Sequence, residues 1–236
     1  MIDLFDVSDA PRVFGETVHL LEDEDFHLPP GRYALMSQTP EWHRPLLDIL
    51  GGVRIPARGR VVHGGRVSWP LGRQGFVRGK ATGIDIINLV SAVHDVDPEE
   101  TADLVTMLVS RPDLIERGIE HWPQFARIEF TYALGLVPDF DIYVIDGSMP
   151  SEPSRFTRLW QALFEERLVG KTLILSSYRQ KQLLDYCAKA LVYEGRRFSV
   201  NDDLEACIER YPLRPSREDA TGGGAQFAED GGDLGF

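Results

Sequence analysis

Three short apolar runs punctuate the chain. Ile142, Tyr143, Val144 and Ile145 run without a polar break into Asp146, and Leu173, Ile174 and Leu175 run into Ser176. Uninterrupted stretches of that length predict strands buried on both faces. Tyr33, Ala34, Leu35 and Met36 follow the turn signal Leu28-Pro29-Pro30-Gly31 and predict the first core strand. Between these runs the apolar spacing is helical. Leu46, Leu47, Ile49 and Leu50 form one face, which stops at Gly51-Gly52. Phe156, Leu159, Trp160, Leu163 and Phe164 form another. From Thr82 to about Leu136 the pattern stays helical, with one start at Asp97-Pro98-Glu99-Glu100 and another at Pro123. A helix from Gln180, a hairpin turning at Glu194-Gly195 and a last helix to Tyr211 complete the pattern. Residues 1–30 carry shorter alternating segments, such as Thr17 to Leu21, and then the acidic run 22–25. Strands alternating with helices predict an α/β fold around a mainly parallel sheet, with a helical subdomain over about 77–136 in a domain spanning 1–211. Residues 212–236 form an acidic, Gly-rich tail, expected to be disordered or ordered only by a partner; after Arg217 it has no basic residue.

Composition narrows the function classes. The net charge of −12 argues against nucleic acid as a partner. No apolar run approaches the roughly 18 residues of a membrane span, so membrane contact is expected only through a partner. The acidic N-terminus lacks the basic start and apolar core of a signal peptide, so a cytoplasmic location is expected, peripheral at the inner face of the cytoplasmic membrane if such a partner is bound. Cys187 and Cys207 lack metal-ligand spacing and are expected to be reduced and buried; no metal site is expected. The charge is uneven. Between Ile49 and Ile84 there is no acid, but there are seven basic residues: Arg54, Arg58, Arg60, Arg66, Arg73, Arg78 and Lys80. That stretch reads either as a solvated loop region or as a docking patch, with Trp69, Arg73, Arg78 and Lys80 as its contact residues.

Asp146 ends a buried strand, where open α/β sheets place their ligands. With it, several segments resemble one family, the ATP-binding subunits of ABC transporters that export capsular polysaccharide. Val67-Ser68-Trp69-Pro70-Leu71-Gly72 is the most specific match. Phe140 to Asp146, Arg155-Phe156, Thr172 to Ser177, Tyr186-Cys187 and Glu194-Gly195-Arg196 extend it over roughly residues 1–211. The resemblance implies a P-loop NTPase, ABC ATPase-like fold with an N-terminal antiparallel β segment.

It also implies positions for ATP chemistry, and this chain departs from the family pattern at nearly all of them. The P-loop glycines, lysine and hydroxyl fall on Ser37, Pro40, Trp42, His43 and Arg44. Pro40 offers no N–H, and Arg44 cannot ligate magnesium. The Q-loop glutamine falls on Arg78, and the signature Ser-Gly pair on Gln124 and Phe125. The magnesium aspartate survives as Asp146, but the general-base glutamate is Gly147, the D-loop aspartate Pro153 and the switch histidine Tyr178. Phosphoryl transfer consists almost wholly of positioning and electrostatic stabilisation by these groups.

The expectation is therefore a non-catalytic, ATPase-like accessory, regulatory or scaffolding protein of polysaccharide export, with no cofactor and no ATP-dependent homodimer. Its partner would be an export permease, an active ABC ATPase or a glycan-synthesis protein. Three alternatives remain at this stage. The chain could be the ATP-binding subunit of a heteromeric transporter. It could be a glycan- or anion-binding regulator, with His43 and Arg44 forming a relic anion site. Or it could be a new enzyme using Ser176, Ser177, His43 and Asp146, although no nucleophile elbow accompanies them.

Overall fold

A computed structural model describes residues 1–73 and 79–215. Arg78 and residues 216–236 of the expected tail lie outside the described residues. The chain opens with β1 (Ile2–Asp9), a small hairpin of β2 (Arg12–Val13) and β3 (Glu16–Thr17), and β4 (Leu21–Leu28). β5 (Arg32–Ser37) leads through a 3-10 turn, Pro40–Trp42, into α1 (His43–Leu50), and β6 (Arg58–His63) follows. Next come α2 (Gly83–His94), α3 (Pro98–Leu108) and α4 (Gln124–Leu134). β7 (Ile142–Asp146), α5 (Arg155–Arg167), β8 (Thr172–Ser176) and α6 (Gln180–Tyr186) alternate after them. The hairpin of β9 (Lys189–Glu194) and β10 (Arg197–Asn201) precedes α7 (Leu204–Arg210).

The core sheet runs β10-β9-β5-β8-β7, with β5, β7, β8 and β9 parallel and β10 antiparallel at one edge. Beyond β7 the segment 67–72 extends it: Val67 bridges Ile142 and Leu71 bridges Ile145, both parallel. Ser68 is fully buried there, and its hydroxyl accepts the Val144 N–H at 2.9 Å. Strand alternation splits the sheet between two cores. Ala34, Met36, Tyr143, Ile145, Leu173 and Leu175 face one, packed by α4, α5 and α6 residues such as Phe130, Trp160, Phe164 and Leu183. Tyr33, Leu35, Ile142, Val144 and Ile174 face the other, against α1 and the N-terminal sheet. Burial on both faces is why these strands read as unbroken apolar runs. Each fully buried Leu, Ile or Val contributes about 1.5–3 kcal/mol.

Local signals set the helix ends. Thr82 and Asp85 form a reciprocal capping box on α2; Asp97 caps α3 by accepting from Glu99 and Glu100 N–H at 2.8 and 3.0 Å; Ser154 caps α5. Gly195 and Arg196 both have positive φ, 59° and 66°, the type I′ signature of a two-residue hairpin.

The N-terminal region differs from its sequence pattern. The acidic run 22–25 lies within β4, which pairs with β1 in the antiparallel sheet β4-β1-β6. Asp6 and Asp23 have positive φ, 52° and 47°, and the β1–β4 register shifts there, so the inside-outside alternation breaks. β6 lies inside the basic stretch and is mostly exposed, so it carries no apolar period to recognise.

Candidate functional site

The carboxyl ends of β5, β7 and β8 open onto one cleft, lined by Ser37, Pro40, His43, Arg44, Asp146, Gly147, Ser176 and Tyr178 and closed on its far side by residues 212–215. Its cavity is about 30 Å³, whereas small-molecule sites commonly measure ~300–1,000 Å³.

Between strand and helix the chain makes a tight turn rather than a wide loop. Pro40 is buried and begins the 3-10 turn, the Trp42 N–H donates to Thr39 O at 3.0 Å, and α1 starts at His43. Trp42 packs edge-on to Tyr193 at 5.9 Å and against the second core. The Ser37 hydroxyl donates to Thr39 O at 2.9 Å, so it accepts from His43 Nε2, also at 2.9 Å. His43 Nδ1 is then the acceptor for the Ser176 hydroxyl at 2.8 Å. Burial pushes the His43 pKa down to about 4, against the opposing fields of Asp146 and Glu41. The neutral ring therefore cross-links the ends of β5 and β8.

This protonation state has a measurable consequence. A histidine whose folded pKa lies below its ordinary 6.5 stays neutral in the fold while the unfolded chain takes up a proton. Its contribution is complete above the unfolded value and is lost as pH falls from 6.5 towards 4. Denaturant titrations across that window should show wild type losing roughly 2 kcal/mol more than His43→Gln, a figure reduced for the partial exposure of the residue. Parallel pH profiles would contradict this.

Asp146 is buried and receives two guanidinium groups. Arg73 Nε donates to its Oδ2 at 2.8 Å and Arg44 Nε to the same oxygen at 3.2 Å. Arg73 also reaches Asp48 Oδ1 at 2.5 Å and Arg44 O at 3.4 Å. In the anion-site alternative, His43 and Arg44 are both engaged within the chain: the imidazole contacts two serines and Arg44 pairs with Asp146. The serine-enzyme alternative lacks a carboxylate on the imidazole. Ser176 does meet His43, but Asp146 orients arginines, and an imidazole with a pKa near 4 is a weak general base at neutral pH.

Gly147 has φ +113°, a backbone that disfavours side chains, and its N–H donates to Ser176 O at 2.8 Å. Tyr178 is 40% exposed at the cleft, 6.0 Å from the Arg179 guanidinium. Phe125 lies in the first turn of α4, 41% exposed, and does not line the cleft.

The basic stretch is corrected in part. Arg54 pairs with Asp9 at 2.7 Å, Arg58 with Asp6 and Asp23 at 2.7 and 3.1 Å, and Arg73 with Asp48 and Asp146, so internal acids neutralise three of the seven charges. Trp69 is partly buried and packs at 5.6 Å from both Phe140 and His94. Among the described members of the expected docking set, Lys80 alone is exposed; Arg78 is outside the described residues.

Two features of the site have no local sequence signal. Arg214 grips Glu41 at 2.8 and 3.2 Å across 173 positions, and Asp48 completes the arginine network from within α1. The Glu41–Arg214 pair draws residues 212–215, expected to begin the tail, onto the cleft.

Solved structures share this architecture. The ATP-binding subunit of an ABC transporter superposes with a TM-score of 0.64 at 12% identity, covering 93% of this chain and 97% of that one. A dimeric bacterial ABC transporter cassette gives 0.65 at 12% identity, covering 86% and 98%. The fold is that of an ABC ATPase nucleotide-binding domain. No protein-family model matches the chain. Curated proteins similar to this ABC ATPase-like chain are ATP-binding proteins. BexA of Haemophilus influenzae is 23% identical over 193 residues, 81% of this chain and 89% of that protein. The capsule polysaccharide export protein CtrD of Neisseria meningitidis is 24% identical over 198 residues, covering 83% and 91%. The polysialic acid transport protein KpsT of Escherichia coli is 22% identical over 199 residues, covering 83% and 89%. No helix among the described residues is long and apolar enough to cross a membrane.

Proposed function

We propose that the protein is a non-hydrolysing, ABC ATPase-like subunit of a polysaccharide-export system, working at the inner face of the cytoplasmic membrane as an accessory, regulator or scaffold. The observation that carries this is the closure of Arg44 and Arg73 on Asp146. In an ATPase of this fold the carboxylate at that position faces magnesium; here the chain's own cations neutralise it. The rest of the cleft does not fit magnesium-ATP either. Pro40 has no N–H for a phosphate, Arg44 stands where a magnesium hydroxyl is needed, and Gly147 has no carboxylate to orient water. Each such loss commonly costs ~10² to 10³ in rate. The polysaccharide context rests on the relatives' names, and the partner class on the resemblance to ABC transporter subunits.

Calorimetric titration with magnesium-ATP is expected to give no heat of binding, and light scattering the same mass with and without nucleotide. Micromolar affinity, or turnover abolished by His43→Ala, would overturn the reading. Tagged protein recovered from native membranes should bring with it a polysaccharide permease, its ATPase or a glycan-synthesis protein. Recovery with only soluble proteins of other pathways would exclude the export role.

A further inference from the structure

We propose that the cleft is a peptide site occupied in cis, with residues 212–215 lying across it as a strap that Arg214 clasps to Glu41. The proposal deepens the non-nucleotide reading above, and rests on it, by naming what takes the ligand's place.

The strap is built from both ends. Tyr211 is buried and extended (φ −105°, ψ 143°), and its hydroxyl reaches Glu194 at 3.3 Å, which fixes where the strap leaves α7. Pro212 and Pro215 fix their own φ and bias Tyr211 and Arg214 towards extended backbone before the segment binds, which reduces the conformational entropy lost on seating it. Leu213 packs against the larger core, and Arg214 places both terminal nitrogens on the Glu41 carboxylate at 2.8 and 3.2 Å. That fork geometry is specific to a guanidinium–carboxylate pair. Glu41 belongs to the same 3-10 turn that delivers His43 and Arg44, so the clasp closes onto the site itself. The strap is also releasable: Arg214 is half exposed and Leu213 only partly buried, so although Glu41 is mostly buried the clasp falls between a fully exposed pair, worth about 0.2–1 kcal/mol, and a buried one.

The test uses the full-length chain. Arg214→Glu sets like charges against each other and Leu213→Asp removes the apolar seat, while the swap Arg214→Glu with Glu41→Arg restores a clasp of reversed polarity. Hydrogen exchange is read on peptides covering residues 36–44 and 176–179. His43 is titrated by NMR; the groups around its ring are Ser37, Ser176, Asp146 and Glu41. Each single variant is expected to exchange on the order of tenfold faster in both peptides. The His43 titration should move up from about 4 towards 6.5, and the swap should return both readouts to wild type. Unchanged exchange in both single variants would overturn the strap, as would failure of the swap to restore it. Magnesium-ATP binding by the unaltered protein would instead refute the reading on which the proposal rests, so the two fail separately.

Discussion

Asp146→Ala is expected to cost about 3 kcal/mol of folding stability, because it strands two partly buried guanidinium groups that share that carboxylate. Arg73 is about one-fifth exposed and Arg44 under a third, so neither can swing into water without leaving its packing. Asp48 would hold one end of Arg73, which keeps the loss near the lower limit for breaking a buried pair. Asp146→Asn should fall between wild type and Asp146→Ala, since its carbonyl still accepts one hydrogen bond but carries no charge. Urea denaturation at neutral pH measures both. The cycle with Arg73→Met separates network from packing: Asp146→Ala should cost clearly less once Arg73 is gone. A loss below about 0.5 kcal/mol would place Asp146 among tolerant surface positions and remove the observation on which the proposed function depends.

The core sheet was legible in the sequence because strands buried on both faces have to be apolar at every position. Leu35, Val144, Ile145, Ile174 and Leu175 are each buried as expected. So were the helix starts at Asp97 and Pro123, where capping and proline geometry act within a few residues. The outer N-terminal sheet was legible only as short segments. Its strands expose most of β6 and bulge at Asp6 and Asp23, so neither a period of two nor a continuous apolar run survives. At the site, the sequence showed what had been replaced but not what took its place. Motif comparison names Ser37, His43, Arg44, Asp146 and Gly147, but the contacts that unite them span 133 positions from His43 to Ser176, 102 from Arg44 to Asp146 and 73 from Arg73 to Asp146. Arg73 illustrates the limit. As one basic residue in an acid-free stretch it read as a docking charge; its partners, Asp48 and Asp146, lie on α1 and β7 and reach it only through the fold.

Gly72→Ala is expected to destabilise the protein by about 2–4 kcal/mol and to act on the same network from its backbone. Gly72 has φ +84°, and a Cβ there would stand 2.3 Å from the Tyr132 hydroxyl and 3.2 Å from Asp146 O. That hydroxyl donates to Ser148 O at 2.9 Å, so yielding to the new methyl breaks a bond two residues beyond Asp146. On one side of Gly72, Leu71 is locked into the sheet, its N–H on Val144 O at 2.9 Å and its O on Asp146 N at 2.8 Å. On the other, Arg73 must turn back at once to reach Asp146. The positive φ thus lets one short segment both pair with β7 and deliver the arginine, which is why a glycine ends the run 67–72. The strain has two sources, and Tyr132→Phe tells them apart. Removing the hydroxyl should cost about 1 kcal/mol alone, through the lost bond to Ser148. In that background Gly72→Ala should cost noticeably less, leaving only the backbone penalty. Additivity within about 0.5 kcal/mol would mean the hydroxyl clash contributes nothing and the left-handed backbone alone demands glycine at 72.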